Sequence, residues 1–367
     1  MESNKIRVGI TQGDINGVGY EVILKTFADP AMLELCTPIV YGSPKVATYH
    51  RKALNLMTNF VSINSASEAS RDKLNIVNCN SEDVKVEFSK SDKEAGMAAY
   101  QALEKAVDEY KCGLIDVIVT APINKHAIQS DDFSFPGHTE YFEKELGNGD
   151  KALMILMQRD FRVALVTNHL PVSKIASSIT KELVLAKINI FNRSLKQDFD
   201  IDAPRIAVLS LNPHAGDAGV LGSEEEEIII PAIQEASAKG VLCYGPYPVD
   251  GFMGSGNYEH FDGILAMYHD QGLGPFKALA MDEGVNYTAG LPVVRTSPAH
   301  GTAYDIAGQG VASEDSFRQA IYDAIDIFRN RRHEKAIHAH PLRKQYFDRN
   351  DDSDKLKLDA PEEEMEI

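Results

Sequence analysis

The chain has 367 residues, of which 44% are hydrophobic and 25% are charged, so it can bury a sizeable core and suggests two domains. Its formal net charge of −17 argues against nucleic acid or an anionic membrane as a partner, although local lysines and arginines can still bind a small anion. The four cysteines form no CxxC pair, and there is no secretory signal and no apolar run of about 18 residues, so we expect a cytoplasmic protein.

The first half of the chain alternates short apolar runs with helical patterns, which is typical of an α/β fold. A strand over residues 5–10 leads into the loop 11–19 and then into a helix, an order shared with phosphate and nucleotide loops. The glycines of this loop do not follow the GxGxxG spacing, so an ordinary tight turn explains them equally well. Further strands are predicted at 38–42, 60–63, 74–78 and 116–120.

Three polar residues beyond the strand at 116–120 are candidate anion contacts. Lys125 follows this strand, and His138 and Thr139 precede a helix predicted over 140–146. Thr139 is a suitable N-cap, and the free amides of a helix N-terminus favour an anion beside His138. Capping alone and a solvated loop lysine explain the same residues without a ligand.

Three strand-like runs in the second half share one feature, a histidine just past their end: 162–167 with His169, 205–211 with His214, and 263–268 with His269. Ligands bind at the carboxyl ends of strands in open α/β sheets, so we expect the three imidazoles to lie together. Three protein ligands with one open position are typical of a catalytic zinc site. The sequence therefore predicts a divalent metal, most simply zinc, with magnesium or cobalt as alternatives.

Acidic side chains near these histidines have two possible roles. Asp217, Asp250 and Asp270 can orient the imidazoles or accept a proton during catalysis. The acidic run Glu224–Glu227 is instead interpreted as the start of a helix, where negative charge stabilises the helix dipole.

Lys277 and Arg295 supply positive charge in an acidic protein and indicate an anionic substrate. Arg295 precedes a helix predicted to start at 301–302, and this arrangement suits a bidentate contact to phosphate or carboxylate, although an interdomain salt bridge explains it too. The residues alone thus predict a metal-dependent α/β enzyme that acts on a small anion. They leave hydrolase and dehydrogenase activities open.

Six motifs occur here in the order found in the 4-hydroxythreonine-4-phosphate dehydrogenase family, and the chain resembles that family from roughly residue 5 to residue 330. They are TQGDINGVG (11–19), VTAPINK (119–125), PGHTE (136–140), NPHAG (212–216), YHDQG (268–272) and RTSPAHGTA (295–303). The first loop departs from the family pattern, because members usually have proline where this chain has Gln12 and Tyr20.

The resemblance implies a fold similar to isocitrate and isopropylmalate dehydrogenases, with two α/β/α domains, a central mixed sheet in each, and the active-site cleft between them. Residues 1–136 plus 297–340 would form the first domain, and 137–296 the second, with the metal ligands and the dimer contacts. Residues 341–367 would be a charged, disordered tail. The family implies a homodimer with shared active sites, in which the tip at 263–277 completes the partner subunit's site.

The implied reaction uses NAD or NADP and one divalent metal ion per site. It oxidises 4-phosphooxy-L-threonine at the C3 hydroxyl, and loss of CO2 then gives 3-amino-2-oxopropyl phosphate, a step in pyridoxal 5'-phosphate (vitamin B6) biosynthesis. Two alternatives remain: a dehydrogenase of phosphorylated threonate or erythronate, and a three-histidine metal hydrolase without nicotinamide.

The same resemblance assigns roles to individual residues. The family's metal ligands correspond to His169, His214 and His269. Its substrate contacts correspond to His138, Thr139, Lys277, Asn286 and Arg295. The proton acceptor is expected to be Asp250, Asp270 or Lys277, and no motif identifies the residues that contact the nicotinamide cofactor.

Overall fold

A computed structural model describes residues 5–79 and 84–339, which form a mixed α/β fold. The strands are β1 (Ile6–Thr11), β2 (Cys36–Gly42), β3 (Phe60–Ile63), β4 (Leu74–Asn78), β5 (Val117–Thr120), β6 (Leu153–Gln158), β7 (Phe161–Leu165), β8 (Arg205–Leu209), β9 (Leu242–Tyr247), β10 (Gly263–Ala266), β11 (Val285–Ala289) and β12 (Arg295–Pro298). The α-helices are α1 (Gly19–Thr26), α2 (Ala31–Leu35), α3 (Pro44–Ala53), α4 (Lys93–Lys111), α5 (His138–Leu146), α6 (Val172–Ser178), α7 (Lys181–Gln197), α8 (Ile230–Ala238), α9 (Val249–Gly254), α10 (His269–Ala280) and α11 (Asp315–His338). Within the described residues, every helix is too short or too polar to cross a membrane.

All twelve strands belong to one sheet, in the order β3-β4-β2-β1-β5-β12-β11-β6-β7-β10-β8-β9. The six strands from β3 to β12 run parallel to one another, and so do the four strands from β7 to β9. Between these two blocks, β11 and β6 pair with their neighbours in antiparallel fashion. The two parallel blocks therefore run in opposite directions.

The two faces of the sheet are covered differently. One face carries a single hydrophobic core under α1, α7, α8 and α11. The other face carries two separate cores, one under α4 and α5 with Phe142, and one under α9 and α10 with Phe276. The strands β12 and β11 lie between these two cores, and Met154 and Leu156 of β6 form the edge of the second core. This gap is where the candidate site lies.

The single sheet corrects the expectation of one separate sheet in each of two domains. Because β12 pairs with β5 and β11 pairs with β6, hydrogen bonding continues from one block to the other without a break. The mixed α/β character itself is confirmed. The division into 1–136 plus 297–340 and 137–296 stays a prediction, and the predicted tail at 341–367 lies outside the described residues.

The largest local difference from the predicted elements is α10. No helix is predicted after β10, and the glycines and the proline of 272–275 disfavour one, yet the chain forms a helix from His269 to Ala280. A Cβ atom on Gly272 would lie 2.8 Å from Leu165 Cδ2 and 3.0 Å from Val163 Cγ1. The glycine therefore permits the helix to pack closely against the sheet, and it does not end the helix.

Three further boundaries were predicted wrongly. Helix α5 begins at His138, with Gly137 at the N-cap, so Thr139 lies in the first turn and does not cap the helix. Asp250 lies on α9, where the sequence indicated a loop. No helix starts at 301–302; the chain forms turns over 304–308, and the next helix is α11.

Candidate functional site

A cavity of about 260 Å³ lies in the gap between the two cores, bounded by α5 on one side and α10 on the other. Its floor consists of Met154, Leu156, Asn286, Arg295 and Ser297. Asn286 is paired with both Leu156 and Ser297, and alternate residues of a strand point to the same face, so these side chains all face the cavity. The walls contribute the polar residues Lys125, His138, Thr139, Glu140, His169, His269, Lys277 and His300.

The cavity thus gathers all five residues predicted to contact substrate and two of the three predicted metal ligands. It also contains several buried polar atoms that have no hydrogen-bond partner: His138 Nε2, Glu140 Oε2, Asn286 Oδ1, Arg295 Nε and His300 Nε2. An unpaired buried polar group costs about 1–3 kcal/mol, so such atoms concentrated in one cavity indicate a polar ligand.

Arg295 is fixed at the floor of the cavity by neighbours on two strands. Its side chain is 2% exposed and donates hydrogen bonds to Thr288 Oγ1 at 3.1 Å and to Thr120 Oγ1. No carboxylate forms a salt bridge with it among the described residues, and burial lowers the pKa of its guanidinium to about 9. An anionic ligand would supply the missing countercharge, which is the usual partner of a buried arginine.

Two histidines beside Arg295 are held in the neutral form. Burial lowers the pKa of His138 well below its ordinary value, and the positive charges of Arg295 and Lys125 lower it further. Burial also lowers the pKa of His300, whose Nδ1 lies 2.9 Å from the Gly301 carbonyl oxygen and donates to it. Each imidazole therefore presents an uncharged nitrogen that is available to a ligand.

His169 and His269 lie together at the mouth of the cavity, with ring centroids 5.5 Å apart. Burial and the nearby Lys125 lower the pKa of His169, which favours neutral imidazole, the form that binds metals. His269 Nδ1 lies 2.7 Å from Asp270 Oδ1, an arrangement that orients many metal-binding imidazoles and leaves Nε2 free. Lys125 Nζ, 3.1 Å from His169 Nε2, donates to the lone pair that a metal would need and would have to move away.

His214 is placed differently from the other two histidines. It follows β8, which neighbours β10 as expected, but its side chain is exposed and does not line the cavity. In the described part of the chain, no three His, Cys, Asp or Glu side chains are grouped so that they could hold a metal ion. Two of the predicted ligands fit a metal within one chain, and the three-histidine site stays a prediction.

The loop that carries His214 is strained and is held by a buried carboxylate. His214, Ala215, Asp217 and Ala218 all have positive φ, a conformation that is costly for residues other than glycine. Glu225 Oε1 accepts hydrogen bonds at 2.7 Å from the backbone nitrogens of residues 211 and 212. The acidic run lies in the first turn of the helical segment over 224–238, as predicted, and the buried Glu225 also fixes this loop.

The three candidate proton acceptors are distributed unevenly. Only Lys277 lines the cavity, where it is exposed and has no hydrogen bond or ion pair to any described residue. Asp270 faces away, with a side chain that is 87% exposed, and pairs with His269. Asp250 is exposed on α9 and does not line the cavity. Asp217 is likewise exposed in the His214 loop.

Sequence reasoning did not identify Glu140 or His300 as cavity residues, although each lies within or beside a motif that it recognised. Glu140 was assigned to the predicted helix, and its placement at the cavity depends on where α5 begins. His300 lies two residues past β12, and nothing in the spacing separates it from an ordinary loop histidine.

Comparison with known proteins gives consistent matches. The model of the family described as pyridoxal phosphate biosynthetic protein PdxA matches residues 34–324. A 4-hydroxythreonine-4-phosphate dehydrogenase from Bacteroides thetaiotaomicron is 74% identical and covers 99% of this chain and 100% of its own length. A D-threonate 4-phosphate dehydrogenase from Cupriavidus necator is 38% identical, over 87% of this chain and 96% of that protein. The crystal structure of a 4-hydroxythreonine-4-phosphate dehydrogenase from Klebsiella pneumoniae has a TM-score of 0.76 and 31% identity, over 89% of this chain and 99% of that chain.

Proposed function

The chain belongs to the pyridoxal phosphate biosynthetic protein PdxA family, and on that basis we propose that it is a 4-hydroxythreonine-4-phosphate dehydrogenase. It oxidises 4-phosphooxy-L-threonine with NAD, or NADP, as hydride acceptor and releases 3-amino-2-oxopropyl phosphate. The observation that carries this proposal is the buried Arg295, which faces a small cavity with Lys277 and two neutral histidines and lacks an anionic partner.

The cavity suits a small substrate with two anionic groups. Arg295 Nε is free and Lys277 is unpaired, so the two cations can bind the phosphate and the carboxylate of one molecule. The first turn of α5 faces the same space, and backbone amides at a helix N-terminus add a further anion contact through Thr139 and its neighbours. Binding at both ends of the substrate would position the C3 carbon for transfer of its hydride.

The reaction needs one proton acceptor and one proton donor. The C3 carbon transfers a hydride to the nicotinamide while the C3 hydroxyl loses its proton, and this gives a β-keto acid. The C1–C2 bond then breaks, CO2 leaves, and C2 takes up a proton. Of the three candidates Asp250, Asp270 and Lys277, only Lys277 lines the cavity of its own chain, so Lys277 is the proposed proton carrier. Its neutral amine takes the proton of the C3 hydroxyl and, as the ammonium, stays beside an anionic group of the substrate until it protonates C2.

A divalent ion, most simply zinc, would be held by His169 and His269 of one chain together with His214 of the partner subunit. The residue that completes the shared metal site is thus proposed to be His214, in place of the tip at 263–277. When bound there, the ion would supply Lewis-acid stabilisation of the negative charge that develops on the substrate in both steps. The ligand assignment rests on the proximity of His169 and His269 and on the exposure of His214 in its braced loop. It makes a homodimer the working form of the enzyme, and the cytoplasm is its proposed location.

The proposal is tested by mixing the purified protein with 4-phosphooxy-L-threonine, NAD and a divalent metal ion and recording absorbance at 340 nm. An increase that depends on both substrate and NAD is expected. Absence of a signal with this substrate, together with turnover of phosphorylated threonate or erythronate, would assign the chain to the activity named for its Cupriavidus necator relative. Substrate consumption without any NAD would indicate a metal hydrolase.

A further inference from the structure

Glu140 is the only carboxylate among the described residues that line the cavity. It lies in the first turn of α5, directly after His138 and Thr139. All other charged or titratable side chains of the lining are lysine, arginine or histidine, so the cavity has one negative position among several basic groups. The Glu140 charge partly offsets that of Arg295, but it would also repel the phosphate and carboxylate of a substrate.

The Glu140 carboxylate has an oxygen that lacks a partner. Oε2 is buried and forms no hydrogen bond, and no described lysine, arginine or histidine lies within salt-bridge distance of the side chain. The oxygen lies 3.6 Å from the place where a Cβ atom on Gly137 would be, and Lys125 Cε lies 3.7 Å from that place, so the absent side chain of the glycine leaves a space between the carboxylate and the Lys125 side chain. A buried carboxylate oxygen without a partner is costly, and the cavity therefore offers a binding position for a hydrogen-bond donor or cation.

The proposed substrate has a group that matches this position. 4-Phosphooxy-L-threonine carries two anionic groups, for which Lys277 and Arg295 are available, and one cation, the ammonium on C2. Its hydroxy-acid counterpart, 4-phosphothreonate, carries a hydroxyl on C2 and has no positive charge. A carboxylate distinguishes these two molecules, because it can accept a hydrogen bond from either group but attracts only the ammonium as an opposite charge.

We propose that Glu140 binds the C2 ammonium of the substrate and thereby selects the phosphorylated amino acid over the phosphorylated hydroxy acid. This inference rests on the proposed function and names the residue that sets its substrate class. A purely structural role for Glu140, such as orienting Lys125 or Arg295 through its negative charge, would affect both substrates alike, because both carry the phosphate and the carboxylate.

The test is the ratio of kcat/KM for 4-phosphooxy-L-threonine and 4-phosphothreonate in the wild type and in Glu140→Gln. The variant keeps the shape of the side chain and removes its charge. The value for 4-phosphooxy-L-threonine is expected to fall roughly 10- to 100-fold, and that for 4-phosphothreonate by less than about threefold. Glu145→Gln is the matched control, because Glu145 lies on the same helix, pairs with Lys111 and does not line the cavity; its ratio should equal that of the wild type.

If Glu140→Gln lowers kcat/KM equally for both substrates, the proposal is overturned and Glu140 has a positioning role. If kcat/KM is unchanged for both substrates, the proposal is overturned as well. If the wild type oxidises neither compound, the proposed function fails, but the dissociation constants of both compounds, measured calorimetrically without NAD, still test Glu140. A loss of affinity confined to the ammonium-bearing compound would support the inference, and equal affinities for both compounds in both proteins would refute it.

Discussion

The Arg295 side chain donates hydrogen bonds to two threonine hydroxyls and also faces the cavity. Its replacement is therefore expected to affect both substrate binding and protein stability. We expect Arg295→Ala to raise KM for the phosphorylated substrate about tenfold or more, with a smaller change in kcat, because a contact made already in the ground state is lost. The free energy of unfolding should fall by about 1–3 kcal/mol, since Thr120 and Thr288 lose a buried partner.

The matched control for that experiment is Arg162→Ala. Arg162 is also buried, but it packs over the ring of Phe199 outside the cavity. Its replacement should lower stability without raising KM. A change in kcat alone for Arg295→Ala, measured by steady-state kinetics, would contradict the substrate contact.

His50 provides a pH dependence that is independent of catalysis. Its Nε2 donates to the Ile15 carbonyl at 2.8 Å, and burial lowers its pKa to about 4. The folded-state pKa is below the unfolded value near 6.5, so the folded chain resists protonation and stability is lost as pH falls from 6.5 towards 4. In urea denaturation, the wild type should lose about 2 kcal/mol more than His50→Gln between pH 7 and pH 5. Parallel losses in the two proteins would show that His50 does not titrate in this range.

The departure from the family pattern in the first loop is explained by a pair of residues. Tyr20 donates a hydrogen bond to Gln12 Oε1 at 2.8 Å, and the backbone nitrogen of Ser43 donates to the same oxygen at 3.0 Å. The two positions that differ from the usual prolines thus contact each other, inside the core and outside the cavity. The departure therefore has a packing explanation, and no single-residue pattern could have revealed the contact.

At the scale of elements, the sequence predicted strands better than the segments that follow them. A short, continuous apolar run predicts a fully buried strand such as β10, whereas residues like Gly272 and Pro275 normally disfavour a helix. In α10 the glycine serves close packing against β7, a reason that exists only in three dimensions. The three-histidine hypothesis is limited in the same way. The strands β7, β10 and β8 lie side by side, although each ends two residues earlier than predicted, and no local pattern reports the path of the loop to His214.

The role of Glu225 in holding the His214 loop can be tested by measuring metal affinity. Glu225→Ala removes the acceptor of two backbone N–H groups, so the left-handed loop loses its anchor. We expect metal affinity, measured by competition with a chelator, to fall about 10- to 100-fold, the usual cost of losing a group that orients a ligand. Glu226→Ala is the control, because Glu226 is exposed on the same acidic run and has no bond to the loop. Equal metal affinities in Glu225→Ala and Glu226→Ala would show that this loop does not contribute to the metal site.

For the whole molecule, the cavity follows from the way the sheet is assembled. Two parallel blocks of opposite direction meet at β11 and β6, and each block brings its own helices and its own core to one face. The alternation of strands and helices along the chain predicted the α/β class. The continuity of the sheet depends on pairing between residues more than 170 positions apart, such as Arg295 with Ile118, which local patterns do not report.

A shared active site makes a prediction about mixed dimers. His169 and His269 belong to one chain's site, and His214 is proposed to reach it from the partner subunit. His169→Ala and His214→Ala should each be inactive alone, and co-refolding them should restore activity, because one site of the mixed dimer then has no substitution. Co-refolding His169→Ala with His269→Ala should restore none. Failure of the first pair to recover activity would place all three ligands in a single chain or reject the assignment.

The central claim, oxidation followed by loss of the carboxylate, is tested most directly by following both products in one reaction. 4-Phosphooxy-L-threonine labelled with carbon-13 at C1 is incubated with the enzyme, NAD and a divalent metal ion. Absorbance at 340 nm reports NADH, and carbon-13 NMR reports the released CO2 and bicarbonate. The account predicts equal amounts of NADH and labelled CO2. Release of phosphate or loss of substrate without NADH, or NADH with the label retained in the organic product, would contradict it.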